Sequence, residues 1–347
     1  MEIKKDSQNR LKYIDILKGI GILLMIMGHI SFGRLFDKYI HGFHMPIFFF
    51  ISGYLFKIVN LSFKKFLKKK IKTLLVPYAC FGLFNYICWI IFIGLPKGHN
   101  LIIPLKSLLW INTESNMPIA GALWFLTCLF IIEITFYFIL RICKNRCQVA
   151  VTIILISIMG SVYPLISSER LPLAIDVSLV GIGIFYIGYI MRKHSANCIL
   201  IRNLLNESNL KTIYIFILST ILIFINKYVN MRTITYALIP LFWINSILGI
   251  LSYWNISKHL NKCKIKIVKV INKEFIYIGE NSIVYVCLNQ LTIMFVYTMF
   301  KQLCIYDSLI IKALIKVNIL VISIILLNIV TLLVNKTKLK VLIGKYR

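Results

Sequence analysis

The sequence predicts an all-α protein: a polytopic membrane helix bundle of about ten transmembrane helices, with both termini in the cytoplasm. Hydrophobic residues make up 59% of the 347 residues, whereas about 45–50% of a soluble domain is apolar. The mean hydropathy is +0.83. Apolar runs of about 17–25 residues, each long enough to cross the bilayer hydrocarbon as a helix, recur along the chain. Together these observations predict an integral membrane protein.

The apolar runs predict ten spans, of which the seventh is the shortest. The polar segments between them are too short to form a separate domain, so we expect residues 1–347 to form a single transmembrane domain with its functional site among the helices. The predicted spans lie near residues 13–33, 39–57, 74–95, 119–140, 148–166, 173–191, 212–226, 234–254, 275–299 and 317–334.

The basic residues predict the orientation of the bundle. The net charge is +28, but Lys and Arg are scattered between the spans, and no basic domain is available to bind nucleic acid. If the N-terminus is cytoplasmic, 29 of the 40 Lys and Arg residues fall in cytoplasmic segments, 10 fall in external segments, and Lys18 lies within a span. Because positive charge accumulates on the cytoplasmic side of membrane proteins, this asymmetry predicts cytoplasmic termini and a surrounding lipid bilayer.

One basic segment has the pattern of an amphipathic helix. Residues 61–73, "LSFKKFLKKKIKT", place Phe, Leu and Ile among lysines at helical spacing. This pattern predicts an interfacial helix on the cytoplasmic side that leads into the third span. The alternative is a simple basic anchor of the kind that follows many spans.

The nine cysteines do not indicate a metal site. They form no Cys-x-x-Cys motif and no Cys/His cluster at zinc spacing, and most lie in or beside the spans. We therefore expect them to be small buried apolar residues, and we expect no metal cofactor.

The first span carries three side chains that are costly to bury in a membrane, Asp15, Lys18 and His29. Lys18 and His29 are eleven residues apart, which is within about 20° of three full helical turns, so they share one stripe about 16 Å long. Asp15 precedes Lys18 by three residues and can pair with it. This set of residues predicts a functional site on one face of the first span.

The second span adds a histidine at the same depth. If a compact turn near Asp37 joins the first two spans, His44 lies level with His29. Farther along the second span, Ser52 and Gly53 permit the close approach of a neighbouring helix or a ligand. A single intramembrane histidine often makes only a structural hydrogen bond, but two at one depth favour a functional site.

The residue types indicate a chemistry for this site. A neutral imidazole can take a proton from a hydroxyl near neutral pH. At the cytoplasmic end, Lys69, Lys70 and Lys72 could join Lys18 in binding the phosphates of a cytosolic cofactor. The sequence therefore predicts a site that takes a phosphorylated compound from the cytosol and acts on a hydroxyl farther out.

Six segments follow one another along nearly the whole chain: "YIDILKGIGILLMIMGHI", "FHMPIFFFISGYLF", "KKKIKTLLVPY", "GALWFLTCLF", "LPLAIDVSLVGIGIFYIGYIMRK" and "IGENSIVYVCLNQ". The six segments in this order are far more specific than any one of them. Together they resemble the acyltransferase family three, whose members are multi-span membrane O-acyltransferases. Many of these enzymes acetylate cell-surface polysaccharides or peptidoglycan.

The resemblance implies an O-acetyltransferase of the bacterial cytoplasmic membrane. Acetyl-CoA would be the donor, and a hydroxyl of a cell-surface glycan or lipid-linked sugar the acceptor. His29 would be the catalytic base, with Lys18 and Asp15 beside it in the catalytic set. Lys69 and Lys72 would hold the phosphates of the cofactor.

The resemblance also implies roles for residues in other spans. His44 and Ser52 would shape the acyl pathway, and Trp124 would be a substrate platform or an interfacial aromatic residue. Asp176 matches an acidic family position near the outer edge, where we expect it to be solvated. Asn289 stands where many relatives carry a histidine, so it could hydrogen-bond a substrate but could not shuttle a proton.

Three alternatives remain open from the sequence. Glu133, in the fourth span, either pairs with another helix or belongs to the substrate site. The resemblance extends to the membrane module of vancomycin-resistance serine racemases, so the chain could instead bind or transport serine within an antibiotic-resistance protein. A purely structural or sensory membrane protein is the third alternative, although it would leave Lys18 and His29 without a purpose.

Overall fold

The computed structural model describes residues 11–57, 62–114, 116, 118–194, 208–300 and 308–345. Part of the predicted charge asymmetry, in segments 1–10 and 195–207, lies outside these residues, as does Leu61 of the amphipathic segment. The described helices are α1 Lys12–Ile30, α2 Arg34–His41, α3 His44–Leu55, α4 Phe63–Gly94, α5 Ile102–Leu109, α6 Trp124–Ile142, α7 Arg146–Ile166, α8 Ile175–His194, α9 Asn209–Ile225, α10 Ile239–Lys262, α11 Lys266–Glu280, α12 Ser282–Phe300 and α13 Leu309–Lys336.

The predicted all-α membrane bundle is confirmed. Within the described residues, eight helices are long and apolar enough to cross a membrane: α1, α4, α6, α7, α8, α10, α12 and α13. The predicted second and seventh spans correspond to the shorter helices α3, with 12 residues, and α9, with 17 residues. The predicted span 275–299 straddles α11 and α12, because the chain bends at Asn281, where the backbone leaves helical geometry.

Helix α4 includes the predicted amphipathic segment as its first turns. Phe66 is buried on one side, while most of the neighbouring lysines are exposed. The helix continues through a π-helical turn at Ile71–Leu75 and ends in another at Ile90–Gly94. Each π-turn accommodates an additional residue and so changes which side chains face the bundle. The described part of the amphipathic segment therefore runs without a break into the third span, in agreement with the prediction that it leads into that span.

Helix α1 lies at the centre of the bundle and contacts α3, α10, α11, α12 and α13. Its approach to α11 depends on two glycines. A Cβ atom at Gly19 would clash with the carbonyl oxygen of Phe275, and one at Gly279 would clash with the carbonyl oxygen of Asp15. Small residues allow such close helix–helix contact inside a membrane. This packing holds the stripe of polar residues on α1 inside the protein.

A second close contact joins α3 to α8. A Cβ at Gly53 would clash with the carbonyl oxygen of Phe185, and one at Gly188 would clash with that of Phe50. The close approach predicted at Gly53 is therefore confirmed, and the neighbour is a helix. Helix α3 thus packs against both α1 and α8. Residues near its start line one internal cavity, and residues toward its end line another.

Candidate active site

Two of the cavities formed by the described residues contain predicted site residues. The histidine cavity, of about 260 Å³, lies at the end of the bundle where α1 ends and α3 begins. The lysine cavity, of about 420 Å³, lies toward the opposite end, where α1 and α4 begin. Hydrogen-bonding side chains that line the histidine cavity are His29, Asp37, His41, His44, Trp124, Tyr228, Asn230, Arg232 and Gln290.

The structure brings His29 and His44 to one cavity, but not through a compact turn. Residues Arg34–His41 form the helix α2 between the two spans. This helix adds His41, whose ring packs edge-on against His44 with 4.9 Å between ring centroids. Three imidazoles therefore face one small volume. Among the described residues, no group of three or more His, Cys, Asp or Glu side chains is arranged to hold a metal ion.

Hydrogen bonds determine which nitrogen carries the proton in two of these histidines. Nδ1 of His44 lies 2.8 Å from the carbonyl oxygen of Ile40. Nδ1 of His41 lies 2.9 Å from the carbonyl oxygen of Asp37 and 3.2 Å from its Oδ1. Because these oxygens can only accept, Nδ1 must donate in both rings. In the neutral form, Nε2 of each ring is then a proton acceptor.

Asp37 and Tyr228 shape the electrostatics of the cavity mouth. The hydrogen bond from His41 lowers the pKa of Asp37, so the carboxylate is ionised at neutral pH. Burial and the nearby Asp37 charge raise the pKa of Tyr228 to about 12, so its hydroxyl stays protonated. The ring of Tyr228 lies 5.5 Å from that of His41. The lining of the histidine cavity therefore includes one ionised carboxylate, Asp37, which lies against the imidazole of His41.

His29 is exposed although it lies in a long apolar helix, because it faces internal openings. Its described hydrogen-bond partner is the side-chain amide of Gln290, whose Nε2 lies 3.2 Å from His29 Nδ1. The partner that orients His29 in the structure is thus Gln290 of α12. His44 instead donates to the carbonyl oxygen of Ile40 in α2.

Arg232 lines the same histidine cavity, close to Gln290 of α12. Its Nε donates to the carbonyl oxygen of Thr113 at 3.0 Å and its Nη2 to that of Glu114 at 2.5 Å. A Cβ at Gly121 would lie 2.7 Å from Arg232 Nη1 and 3.1 Å from Gln290 Oε1. The glycine therefore leaves room for a guanidinium N–H group and an amide to lie together beside the cavity. Such groups can hydrogen-bond a carbonyl oxygen that gains negative charge.

The lysine cavity gathers cations from α1, from α4 and from the segment just after α3. Hydrogen-bonding and charged side chains that line it are Lys18, Ser52, Lys57, Lys69, Lys70, Glu133 and Ser282. The structure thus brings three of the predicted lysines to one cavity, together with Lys57, but Lys72 does not line it. Ser52 also lines the lysine cavity, whereas His44 lines the histidine cavity. The Ser52 hydroxyl donates to the carbonyl oxygen of Phe48 at 2.8 Å.

Two acidic residues are paired with these lysines. Glu133 Oε2 lies 2.5 Å from Lys70 Nζ, so Glu133 pairs with another helix, as one alternative predicted, and it also lines the lysine cavity. Asp15 lies 3.7 Å from Lys18 Nζ, which confirms the predicted pairing, but Asp15 itself is buried and lines neither cavity. The charge of Lys70 is therefore offset locally by a buried carboxylate.

The two cavities share Phe48 and Phe125 in their linings. These rings pack edge-on with 5.8 Å between centroids. The Phe48 ring also lies against Gly21, where a Cβ would approach its Cζ atom to 2.8 Å. Lys18 and His29 therefore do not line one common cavity. They line two adjoining cavities that are separated by a pair of aromatic rings.

The remaining predicted residues have different environments. Trp124 is buried and lines the histidine cavity. Asn289 is also buried, but its amide donates to the carbonyl oxygens of Tyr285 and Val286, and it lines neither cavity. The expectation that Asp176 is solvated is wrong, because it is fully buried and accepts a 2.6 Å hydrogen bond from Arg170 Nε.

Six hydrogen-bonding residues of the histidine cavity were not predicted as site residues: Asp37, His41, Tyr228, Asn230, Arg232 and Gln290. Asp37 and His41 are four residues apart, a spacing that would have indicated a pair if a helix had been predicted there. Gln290 was visible as a polar residue in an apolar run. Tyr228 and Arg232 lie between helices and carry no local signal, because only the folding of the chain brings them to α1.

Comparison with known proteins agrees with the motifs in the sequence. A sequence profile of the family described as "Acyltransferase domain" matches residues 11–334. The Nodulation protein NolL of Mesorhizobium japonicum (strain LMG 29417 / CECT 9101 / MAFF 303099) is 30% identical over 138 residues. This alignment covers 36% of the present chain and 35% of NolL. No solved structure matches the chain. Because the profile spans nearly all of the sequence, the chain belongs to the acyltransferase family three that its motifs resemble.

Proposed function

We propose that the protein transfers an acetyl group from cytosolic acetyl-CoA to a hydroxyl of a cell-surface glycan or lipid-linked sugar. The observation that carries this proposal is the pair of adjoining cavities. One is lined by lysines, the other by histidines, and they meet at Phe48 and Phe125. A thioester must reach from a phosphate-binding site to a proton acceptor, and this arrangement provides both within one bundle.

The lysine cavity is the proposed entry for the donor. The positive-inside asymmetry of the sequence favours a cytosolic location for this end of the bundle. Lys57 and Lys69 are exposed at the cavity and are suited to the phosphates of CoA, since ammonium groups bind phosphate as point charges. The pantetheine arm would run along α3, past Ser52, and bring the thioester to Phe48.

The histidine cavity is the proposed site of transfer. His29 accepts the proton of the acceptor hydroxyl at Nδ1 as the oxygen attacks the thioester carbon. Nδ1 is its unprotonated nitrogen, because the Gln290 amide nitrogen beside it can only donate. The new C–O bond forms, the C–S bond breaks, and the CoA thiolate leaves and takes up the proton. Arg232 and Gln290 lie where they can donate hydrogen bonds to the carbonyl oxygen as it becomes negative.

Transfer from labelled acetyl-CoA tests this proposal. Purified protein in proteoliposomes is supplied with acetyl-labelled acetyl-CoA on the lysine side and with cell-envelope glycans or lipid extracts on the other. We expect labelled product with the wild type and a loss of at least 100-fold for His29→Ala, the usual range for a general base. His99→Ala is the matched control, because His99 is exposed and lines neither cavity.

The same preparation separates binding from chemistry. A ligand that binds only the folded state raises the unfolding temperature, so acetyl-CoA and CoA should stabilise both the wild type and His29→Ala. Equal transfer rates for the wild type and His29→Ala would remove His29 from the mechanism. Stabilisation by serine, but not by acetyl-CoA, would contradict the proposal and favour the serine-handling module.

A further inference from the structure

A second opening reaches His29 from the side of the bundle. This lateral groove, of about 470 Å³, is lined by residues of α1, α12, α13 and the end of α4. His29 and Gln290 line both the groove and the histidine cavity. The other residues that line the groove are apolar or aromatic, and they include Ile93, Met294 and Ile319. The groove is therefore an apolar extension of the proposed site of transfer.

Acyl transfer brings three groups to one carbon atom: the sulfur of CoA, the oxygen of the acceptor and the acyl chain. The proposed path of the thioester arrives from the lysine cavity at Phe48, and the histidine cavity has many hydrogen-bonding side chains that suit a hydroxylated acceptor. An acyl chain needs an apolar surface that starts at the same carbon. The lateral groove provides one, because it begins at His29 and Gln290.

The groove is much larger than an acetyl group requires. An acetyl group ends in a single methyl, whereas the groove has a volume of about 470 Å³. Met294 and Tyr297 line the groove together with Gln290, and they follow it by four and seven residues on α12, which is about 6 Å and about 10 Å along the helix axis. A linear chain of several carbons that starts beside Gln290 can therefore pass Met294 and extend toward Tyr297.

We propose that the lateral groove binds the acyl chain of the donor, so that the site accepts linear acyl groups longer than acetyl, such as butyryl and hexanoyl, as well as acetyl. The chemistry at the carbonyl carbon is the same for each donor. The acceptor oxygen forms the new C–O bond, the C–S bond to CoA breaks, and the thiolate takes up the hydroxyl proton by way of His29. Each added methylene favours binding, because it leaves water for the apolar groove. This inference rests on the proposed function and extends its class of donor.

Binding of CoA, acetyl-CoA and hexanoyl-CoA to the purified protein in a neutral detergent tests the groove without any acceptor. A ligand that binds only the folded state raises the unfolding temperature, so titrations followed by thermal scans give the three affinities. Burial of one methylene increases affinity about fourfold. We therefore expect hexanoyl-CoA to bind the wild type about tenfold or more tightly than acetyl-CoA.

Variants of one groove residue test where the chain lies. Met294→Trp fills the groove, and Met294→Gln keeps the size of the side chain but places a polar amide against the chain. In transfer assays with both donors, we expect each variant to lower the ratio of kcat/KM for hexanoyl-CoA to that for acetyl-CoA about tenfold. Acetyl transfer that remains measurable shows that the variants are folded. Phe295→Trp is the control and should keep the wild-type ratio, because Phe295 is exposed on the same helix and does not line the groove.

The two proposals can fail separately. Acetyl transfer without hexanoyl transfer would overturn the inference, as when a lipid chain of the bilayer fills the groove, and would leave the acetyl-transfer proposal standing. A ratio that is unchanged in both Met294 variants would also overturn it, since the chain would then lie elsewhere. Tighter binding of hexanoyl-CoA that is lost in the Met294 variants, without transfer of either acyl group, would do the reverse: it would support the groove as an acyl-chain site and contradict the transferase function.

Discussion

Lys69 and Lys70 are neighbours in sequence but have different environments in the structure. Substitutions at each position can therefore separate binding from stability. Lys70 pairs with the buried Glu133 at 2.5 Å, whereas Lys69 is exposed at the lysine cavity. Lys70→Met would leave the carboxylate of Glu133, whose side chain is 8% exposed, without its partner. Breaking a buried ion pair from one side costs about 3–5 kcal/mol. We take about 3 kcal/mol, because the Lys70 side chain retains 17% exposure.

This cost predicts a measurable change in unfolding temperature. With about 2.1 cal/mol/K per residue, the unfolding entropy of 347 residues is about 0.7 kcal/mol/K, so 3 kcal/mol corresponds to about 4 °C. Lys70→Met should therefore unfold about 4 °C below the wild type in a fluorescence-monitored thermal scan. Lys69→Met should unfold at the wild-type temperature but bind acetyl-CoA about tenfold more weakly, since it removes one charged contact with phosphate.

A double variant identifies the cause of the instability. In Lys70→Met/Glu133→Leu both charges are gone, and apolar side chains of similar size remain, so most of the lost stability should return. The role of Lys70 as the ion-pair partner of Glu133 is refuted if the double variant is no more stable than Lys70→Met. It is equally refuted if Lys70→Met retains its stability and loses acetyl-CoA binding, because Lys70 would then be a phosphate ligand.

Two further predictions concern the histidine cavity and its boundary. Gly21→Ala would place a methyl group 2.8 Å from the ring of Phe48, and overpacking of this kind costs about 1–3 kcal/mol. We expect slower acetyl transfer with unchanged acetyl-CoA binding, while Gly82→Ala, which meets a flexible side chain at the same distance, should leave transfer unaffected. The hydrogen bond from His41 lowers the pKa of Asp37 below 3.8, so its stabilising contribution is complete above about pH 5 and is lost as the pH falls through the lowered pKa. Thermal scans between pH 6 and pH 3 should show this loss for the wild type and a smaller loss for Asp37→Asn; identical profiles would contradict it.

Much of the candidate site was predictable because it lies on single helices. Lys18 and His29 share a stripe of α1 through the helical repeat alone, and the pairing of Asp15 with Lys18 needs only a spacing of three residues. It was harder to predict from the sequence that His44 and Ser52 line different cavities. His44 lies at the start of α3 and Ser52 near its end. The structure assigns them to different cavities.

Other features depended on contacts between distant parts of the chain. Lys70 could not be distinguished from Lys69 and Lys72 by sequence, because the distinction comes from Glu133 on α6 and from the π-turn that follows in α4. Asp176 looked solvated at a helix start, and its burial against Arg170 is a tertiary contact.

The sequence by itself determined the membrane environment, the helical class and the family of this protein, because hydropathy, charge asymmetry and short motifs are properties of consecutive residues. The tertiary structure alone decided that the lysines and histidines line two cavities with Phe48 and Phe125 between them, that Gln290 contacts His29, and that a groove reaches His29 from the side. The physical reason is that a cavity is defined by the packing of several helices against one another. That packing depends on close contacts, such as those at Gly19 and Gly53, which no single helix contains.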